Sequence, residues 1–128
     1  MCMKGSYILI VKLEENISIK VGQLGVINFK KGFYTYVGSA MNSLERRVER
    51  HKRENKNFHW HIDYLLDKSD FIKSLLFASD EKQECMLADK VKELSDSCIK
   101  DFGCSDCICK SHLFFFKEFP KSLNTIKI

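Results

Sequence analysis

Residues 34–51, Tyr34-Thr-Tyr-Val-Gly-Ser-Ala-Met-Asn-Ser-Leu-Glu-Arg-Arg-Val-Glu-Arg-His51, put phenols, hydroxyls and guanidinium groups into one short stretch. Tyr34, Thr35, Tyr36 and Val37 are β-formers. Gly38 lets a ligand or another chain come close to the backbone, and Ser43 is placed to cap a following helix. The stretch therefore reads as an aromatic strand joined through one glycine to a basic helix. A phosphodiester arriving at that junction would meet a phenol, a hydroxyl and guanidinium groups in one corner.

Helical projection separates the arginines. With Leu44 at zero and ~100° per residue, Val48 falls near ~40°, Arg47 near ~300° and His51 near ~340°. Arg47 and His51 thus share the apolar side and face the sheet where Tyr36 ends. Arg46, Arg50 and Arg53 fall between ~180° and ~240°, on the opposite side and in water. A guanidinium at a buried edge needs a partner, because an unpaired desolvated charge is costly. Two partners suit Arg47: a structural carboxylate, or a phosphate gripped in bidentate geometry.

The same projection of the later helix, with Glu84 at zero, places Leu87, Ala88, Val91, Leu94 and Cys98 within ~80° of it. A carboxylate on the apolar stripe has two readings. It favours the helix N-terminus by its charge, or it is presented to a hard divalent cation such as Mg²⁺, which takes one or two protein carboxylates and keeps waters.

Two further clusters carry chemistry. His59 and Asp63 share a helix face at i, i+4 and could brace an imidazole or hold a metal, while His59, Trp60, His61, Ile62 and Leu65 together also describe an ordinary core edge. Trp60 and Tyr64 offer faces for stacking on bases and equally for packing. Cys104, Cys107, Cys109 and His112 are four soft ligands within nine residues. Cys104 and Cys107 have zinc-knuckle spacing, with packing or redox-reactive thiols as the alternatives.

The elements that must position these residues follow from periodicity and turn signals. Residues 6–13 form a strand, 17–21 and 24–30 a hairpin around Gly22-Gln-Leu-Gly25, and 33–37 a further strand. Helices are expected over 43–54, 58–67 and 80–97, the last beginning at Asp80, with strands at 71–78 and 112–117. The pattern is α+β. With 128 residues and 45% hydrophobic content the chain can bury one core, so a single domain over 1–128 is expected, with a Cys-rich segment at 98–117.

The net charge is only +4, yet Arg46, Arg47, Arg50, Lys52, Arg53 and Lys56 crowd one element against Glu45, Glu49 and Glu54. Such a patch suits an anionic partner, nucleic acid first, with a solvated helix laced by intrahelical ion pairs as the alternative. No run approaches the ~20 apolar residues of a membrane span. Six cysteines behind an N-terminus that reads as a strand rather than a signal peptide suggest reduced thiols or metal ligands and a cytoplasmic location.

In this order, Gly5-Ser6-Tyr7, Tyr36-Val37-Gly38, Arg47 and Glu84 resemble the marker residues of the GIY-YIG nuclease superfamily. The chain is similar above all to its small Uri-type endonucleases. The strings Tyr36-Val-Gly-Ser-Ala40, His59-Trp-His-Ile-Asp-Tyr-Leu65, Glu84-Cys85 and Phe102-Gly-Cys-Ser-Asp-Cys-Ile-Cys-Lys-Ser-His-Leu113 carry that likeness over nearly the whole chain. The resemblance implies a small antiparallel or mixed sheet flanked by helices, with an extra N-terminal β-hairpin. It implies hydrolysis of DNA phosphodiesters with Mg²⁺ or Mn²⁺ and, from the cysteine spacing, a possible structural Zn²⁺ beside it.

By the same resemblance Tyr36 would help deprotonate the attacking water, Tyr7 would hold or polarise that site, Arg47 would stabilise the phosphate in flight, and Glu84 would bind the metal. His51, one turn beyond Arg47, would relay a proton or contact phosphate. Gly38, Ser39, Arg46, Arg50, Lys52 and Arg53 would line the DNA. The chain departs from the family by inserting the hairpin 17–30 between its tyrosine strands, which must then be accommodated at an edge, and by Ser6 where isoleucine is common. With no second domain expected to supply specificity, the alternatives are nonspecific action, recognition of DNA structure, or dependence on a protein partner. A non-cleaving nucleic-acid-binding module and a zinc-stabilised interaction domain are the competing functions.

Overall fold

The first strand, β1 (Gly5–Leu13), is apolar on both faces, Tyr7, Leu9, Val11 and Leu13 alternating with Ile8 and Ile10, and all of them are buried. A strand of that kind belongs inside a sheet covered on both sides. The computed structural model describes residues 4–40, 43–52, 61–79, 83–99, 102 and 111–125, and in it β1 is an interior strand, paired along both edges. After β1 come β2 (Ile17–Lys20), β3 (Val26–Phe29), β4 (Gly32–Ala40), α1 (Leu44–Lys52), α2 (His61–Leu66), β5 (Asp70–Ala78), α3 (Glu84–Leu94), β6 (Ser97–Cys98) and β7 (Leu113–Phe116). Among the described residues five strands form one antiparallel sheet in the order β5-β1-β4-β7-β6, and β2 and β3 pair separately. The fold is α+β.

Each face of the sheet has its own apolar cluster. Tyr7, Leu9, Tyr34, Tyr36 and Leu113 lie on one face with Leu44 and Val48 of α1 and Ile62 and Leu65 of α2. Ile8, Ile10, Val37, Phe114 and Phe116 lie on the other with Leu87, Ala88 and Val91 of α3. The β2–β3 hairpin, with its 3₁₀ turn Gly22–Leu24, does not extend an edge of the sheet as its insertion suggested. It folds over the α1–α2 face and drives Ile19 and Phe29 into that cluster. Folding over the face covers apolar side chains and leaves the β1–β4 pairing unbroken.

Two element boundaries differ from the sequence expectation in ways that matter to the site. β4 runs on to Ala40 instead of ending at 37, because Gly38, Ser39 and Ala40 have register partners in Tyr7, Ser6 and Gly5. α3 ends at Leu94 rather than 97: Ser95 is extended, with φ −82° and ψ 160°, and Ser97–Cys98 pair with Phe115 and Phe114 as β6. Cys98 is therefore a strand residue and not part of the α3 stripe. Within the expected helices, residues 53–54, 58–60 and 80–82 lie outside the described residues, as do Arg53, His59, Trp60, Cys104, Cys107 and Cys109.

The extension of β4 changes the meaning of Gly38. It is not the loose joint between strand and helix but a buried position directly opposite Tyr7. A Cβ there would stand 2.5 Å from Cζ of the Tyr7 ring, so the close approach that glycine permits is made by the protein's own phenol. Gly38→Ala is expected to destabilise the protein by about 1–3 kcal/mol, the usual range for overpacking. Urea unfolding measures it, and an unchanged midpoint would mean that the ring does not lie over this residue.

Candidate active site

Antiparallel pairing sets Tyr7 opposite Gly38 and Tyr36 opposite Leu9. The two phenols are thereby diagonal neighbours on the α1 face, with ring centroids 6.4 Å apart. Gly38 between them leaves room for the Tyr7 ring to lean across the ladder. The two tyrosine strands meet despite the intervening hairpin.

α1 supplies the polar groups above them. Ser43 begins it as expected: its Oγ accepts from the backbone N–H of Arg46 at 3.2 Å and donates to Oε2 of Glu45 at 2.9 Å. With that start fixed, Leu44 and Val48 point into the core, and Arg47 and His51 fall on the same side. His51 is buried, and its Nε2 lies 2.8 Å from the Tyr7 hydroxyl. With the imidazole neutral and its proton on Nδ1, Tyr7 donates to Nε2; with an imidazolium, Nε2–H donates to the phenol oxygen. The His51 ring also stands 6.3 Å from that of Tyr36. Arg47 is half-buried. It donates from one terminal nitrogen to the Ser39 carbonyl at 3.1 Å and hydrogen-bonds the Tyr7 side chain.

Glu84 comes from the other side of the sheet. α3 packs across the opposite face, but its first residue stands near enough to the end of β1 and β4 for the carboxylate to act on both phenols and on His112. Burial is the main reason that the Tyr7 hydroxyl is pushed up to about 12; Arg47 opposes the shift, and Glu84 and Asp63 add to it. Tyr36 is raised well above its ordinary value by burial, then by Tyr7, Glu84 and Asp63, against Arg47. Both phenols are protonated through the neutral range.

The remaining expected residues are divided. Arg46 and Lys52 are exposed, and Nζ of Lys52 lies 5.4 Å above the Phe71 ring of β5. Arg50 is not in open water as its projection suggested. It meets Asp63 of α2 in a bidentate pair, 3.0 and 3.1 Å, with the carboxylate fully buried. Projection sees only a helix's own apolar stripe, and here a second helix covers the flank. Ser39 offers its carbonyl to Arg47. Asp63, read from sequence as a partner for His59, is the residue whose weight was missed; a carboxylate inside the apolar run Ile62-Asp-Tyr-Leu-Leu66 was the signal for a buried ion pair.

His112, expected beside three cysteines, is buried just before β7, where its carbonyl accepts from the Val37 N–H at 2.9 Å. Alternation with Leu113 puts its side chain on the α3 face. Burial lowers its pKa while Glu84 opposes that shift, so its electrostatic surroundings are those of the active-site end. Among the described residues no group of three or more His, Cys, Asp and Glu side chains is arranged to hold a metal ion. No helix among them is long and apolar enough to cross a membrane.

The raised phenol has a consequence for stability. Tyr7 titrates near 10 when unfolded and about 12 when folded, so between these values the folded state holds a proton that the unfolded state has lost. The stabilisation is fully present below pH ~10 and drains away as pH rises toward ~12, at about 1.4 kcal/mol per pH unit for one proton. Tyr7→Phe is expected to flatten the fall in urea-unfolding free energy between pH 9.5 and 11.5 by roughly one proton's slope. Equal slopes in the two proteins would show that this hydroxyl is not shifted.

Compared with known proteins, residues 6–128 match the family model described as Domain of unknown function DUF123. No curated protein and no solved structure matches the chain.

Proposed function

We propose that the chain, which belongs to the DUF123 domain family, is a divalent-metal-dependent endonuclease that hydrolyses phosphodiester bonds in DNA. The observation that carries this reading is the convergence of Tyr7, Tyr36, Arg47 and His51 at one end of β1 and β4, within the field of Glu84. The resemblance to GIY-YIG nucleases supports it, because the residues that define the likeness are the ones that converge.

Each group has a part that its surroundings permit. Arg47 is a permanent positive charge at a half-buried position, suited to the charge that develops on a phosphate under attack. The phenols, protonated at neutral pH, cannot serve as standing bases. Tyr7 can still accept a proton from a water molecule on its oxygen while passing its own to Nε2 of His51, the side-chain type that titrates nearest neutrality. Tyr36, beside both rings, is placed to orient that water. The half-buried Glu84 carboxylate is an oxygen donor suited to Mg²⁺ or Mn²⁺. A bound divalent ion would supply positive charge against the phosphate oxygens. The exposed Arg46 and Lys52 would steer DNA toward the site. A protein partner that supplies sequence or structure specificity belongs to the same reading. A structural zinc is part of the proposal, drawn from the spacing of Cys104, Cys107, Cys109 and His112.

Nicking of supercoiled and branched DNA in Mg²⁺ or Mn²⁺ tests the reading. Wild type is expected to nick only with metal present, and Glu84→Gln and Arg47→Ala are each expected to lower the rate by about 10²-fold or more. Cleavage that persists in both variants would trace to a contaminating nuclease. Salt-dependent binding by a wild type that never cleaves would favour the non-cleaving module instead.

A further inference from the structure

Apart from the bonds that Arg47 and His51 themselves make to Ser39 and Tyr7, and the contact of Lys52 with Phe71, the helix that carries them has little to hold its roll. Of the nine residues of α1, the buried apolar ones are Leu44 and Val48. They lie within ~40° of each other in projection and so define a single line along the helix. Contacts along one line fix how near a helix lies to a sheet but let it roll about that line. A roll of ~20° is enough to spoil the geometry of a catalytic constellation, and a residue displaced by ~1 Å can cost two orders of magnitude in rate. A third point off the line is required.

Arg50 is that point. It sits ~100° from His51 around α1 and grips Asp63 through two parallel hydrogen bonds, 3.0 and 3.1 Å. A guanidinium fork on a carboxylate tolerates a narrow range of orientation. Asp63 is itself fixed, since Ile62 and Leu65 beside it on α2 are fully buried in the same cluster as Leu44 and Val48. Stability gives little reason to keep a pair of this kind, because well-packed apolar residues in place of a buried ion pair are often as stable or more so. Geometry gives a reason: from the neighbouring position on α1, His51 must hold its Nε2 2.8 Å from the Tyr7 hydroxyl.

We propose that Asp63 is a positioning residue which, by clamping Arg50, sets the roll of α1 and with it the approach of His51 and Arg47 to the Tyr7 hydroxyl. Its kinetic consequence rests on the nuclease reading above; the positioning itself does not. Asp63 then sets the roll through Arg50, in addition to the field it exerts on the phenols, and touches no substrate.

Two variants test this: Asp63→Asn, and the apolar double replacement Arg50→Met with Asp63→Leu, which leaves no charge stranded. The side-chain ¹⁵N signals of His51, melting temperature, DNA binding and nicking are followed in each. The double variant is expected to melt within about 5 °C of wild type, a shift on the order of a single mild substitution. Its His51 Nε2 signal should move away from the wild-type, phenol-bonded position. Nicking at saturating DNA, where a change in affinity no longer counts, should fall at least about tenfold. A folded double variant with His51 signals like those of wild type would overturn the proposal whatever its activity. Loss of folding in both variants would overturn it too, since the pair would then be holding the fold and not the roll. A wild type that does not nick would remove the nuclease reading alone, because the His51 signals still decide the positioning.

Discussion

The pairing of Tyr7 with Gly38 across β1 and β4 is the constraint on which the site depends. Most side chains at position 38 would collide with the Tyr7 ring, and glycine lets that ring lie across the ladder. From there its hydroxyl reaches His51 and Arg47, and the ring approaches Tyr36. A slip of one residue in the register would turn Tyr7 to the α3 face, away from its partners. The apolar alternation of β1 guards against that slip, because both faces are buried and each accepts only its own set.

The two faces divide the labour. One holds α1, α2 and the hairpin, and brings an imidazole, a guanidinium and two phenols together. The other holds α3, whose apolar residues Leu87, Ala88 and Val91 anchor it against Ile8, Ile10 and Val37. Glu84 then reaches the shared end as the first residue of its helix. A site assembled from both layers of a sheet ties its geometry to the sheet's own packing and makes it stiffer than one built on a loop.

Much of this was legible in the sequence, for physical reasons that also mark where legibility ended. Arg47 and His51 were correctly placed because a helix's apolar stripe is set by spacing alone, and Leu44 and Val48 define it. The end of β4 was misjudged because a glycine looks like a joint until its cross-strand partner is known; the ladder with Gly5, Ser6 and Tyr7 continues the strand to Ala40. The Arg50–Asp63 pair was hidden for a related reason. Its two residues lie on different helices, and nothing in the spacing of either helix names the other. The backbone position of His112 is set by its bond to Val37, a partner far away in sequence that no local spacing names.

The charges around the phenols act in concert. Asp63 and Glu84 each make ionisation of Tyr7 and Tyr36 harder, and Arg47 makes it easier. Burial does most to keep the phenols protonated and their hydroxyls as donors, and the two negative groups add to it against that guanidinium. Any positive charge taken up beside Glu84 would cancel one of the two opposing fields and add to that of Arg47. The same arrival would therefore lower the cost of negative charge on a phenol oxygen and on a phosphate together, since both lie within reach of the same fields. Protonated phenols at rest and stabilised anions after uptake of such a charge would then be two states of one electrostatic arrangement, with Glu84 as the point where they are exchanged.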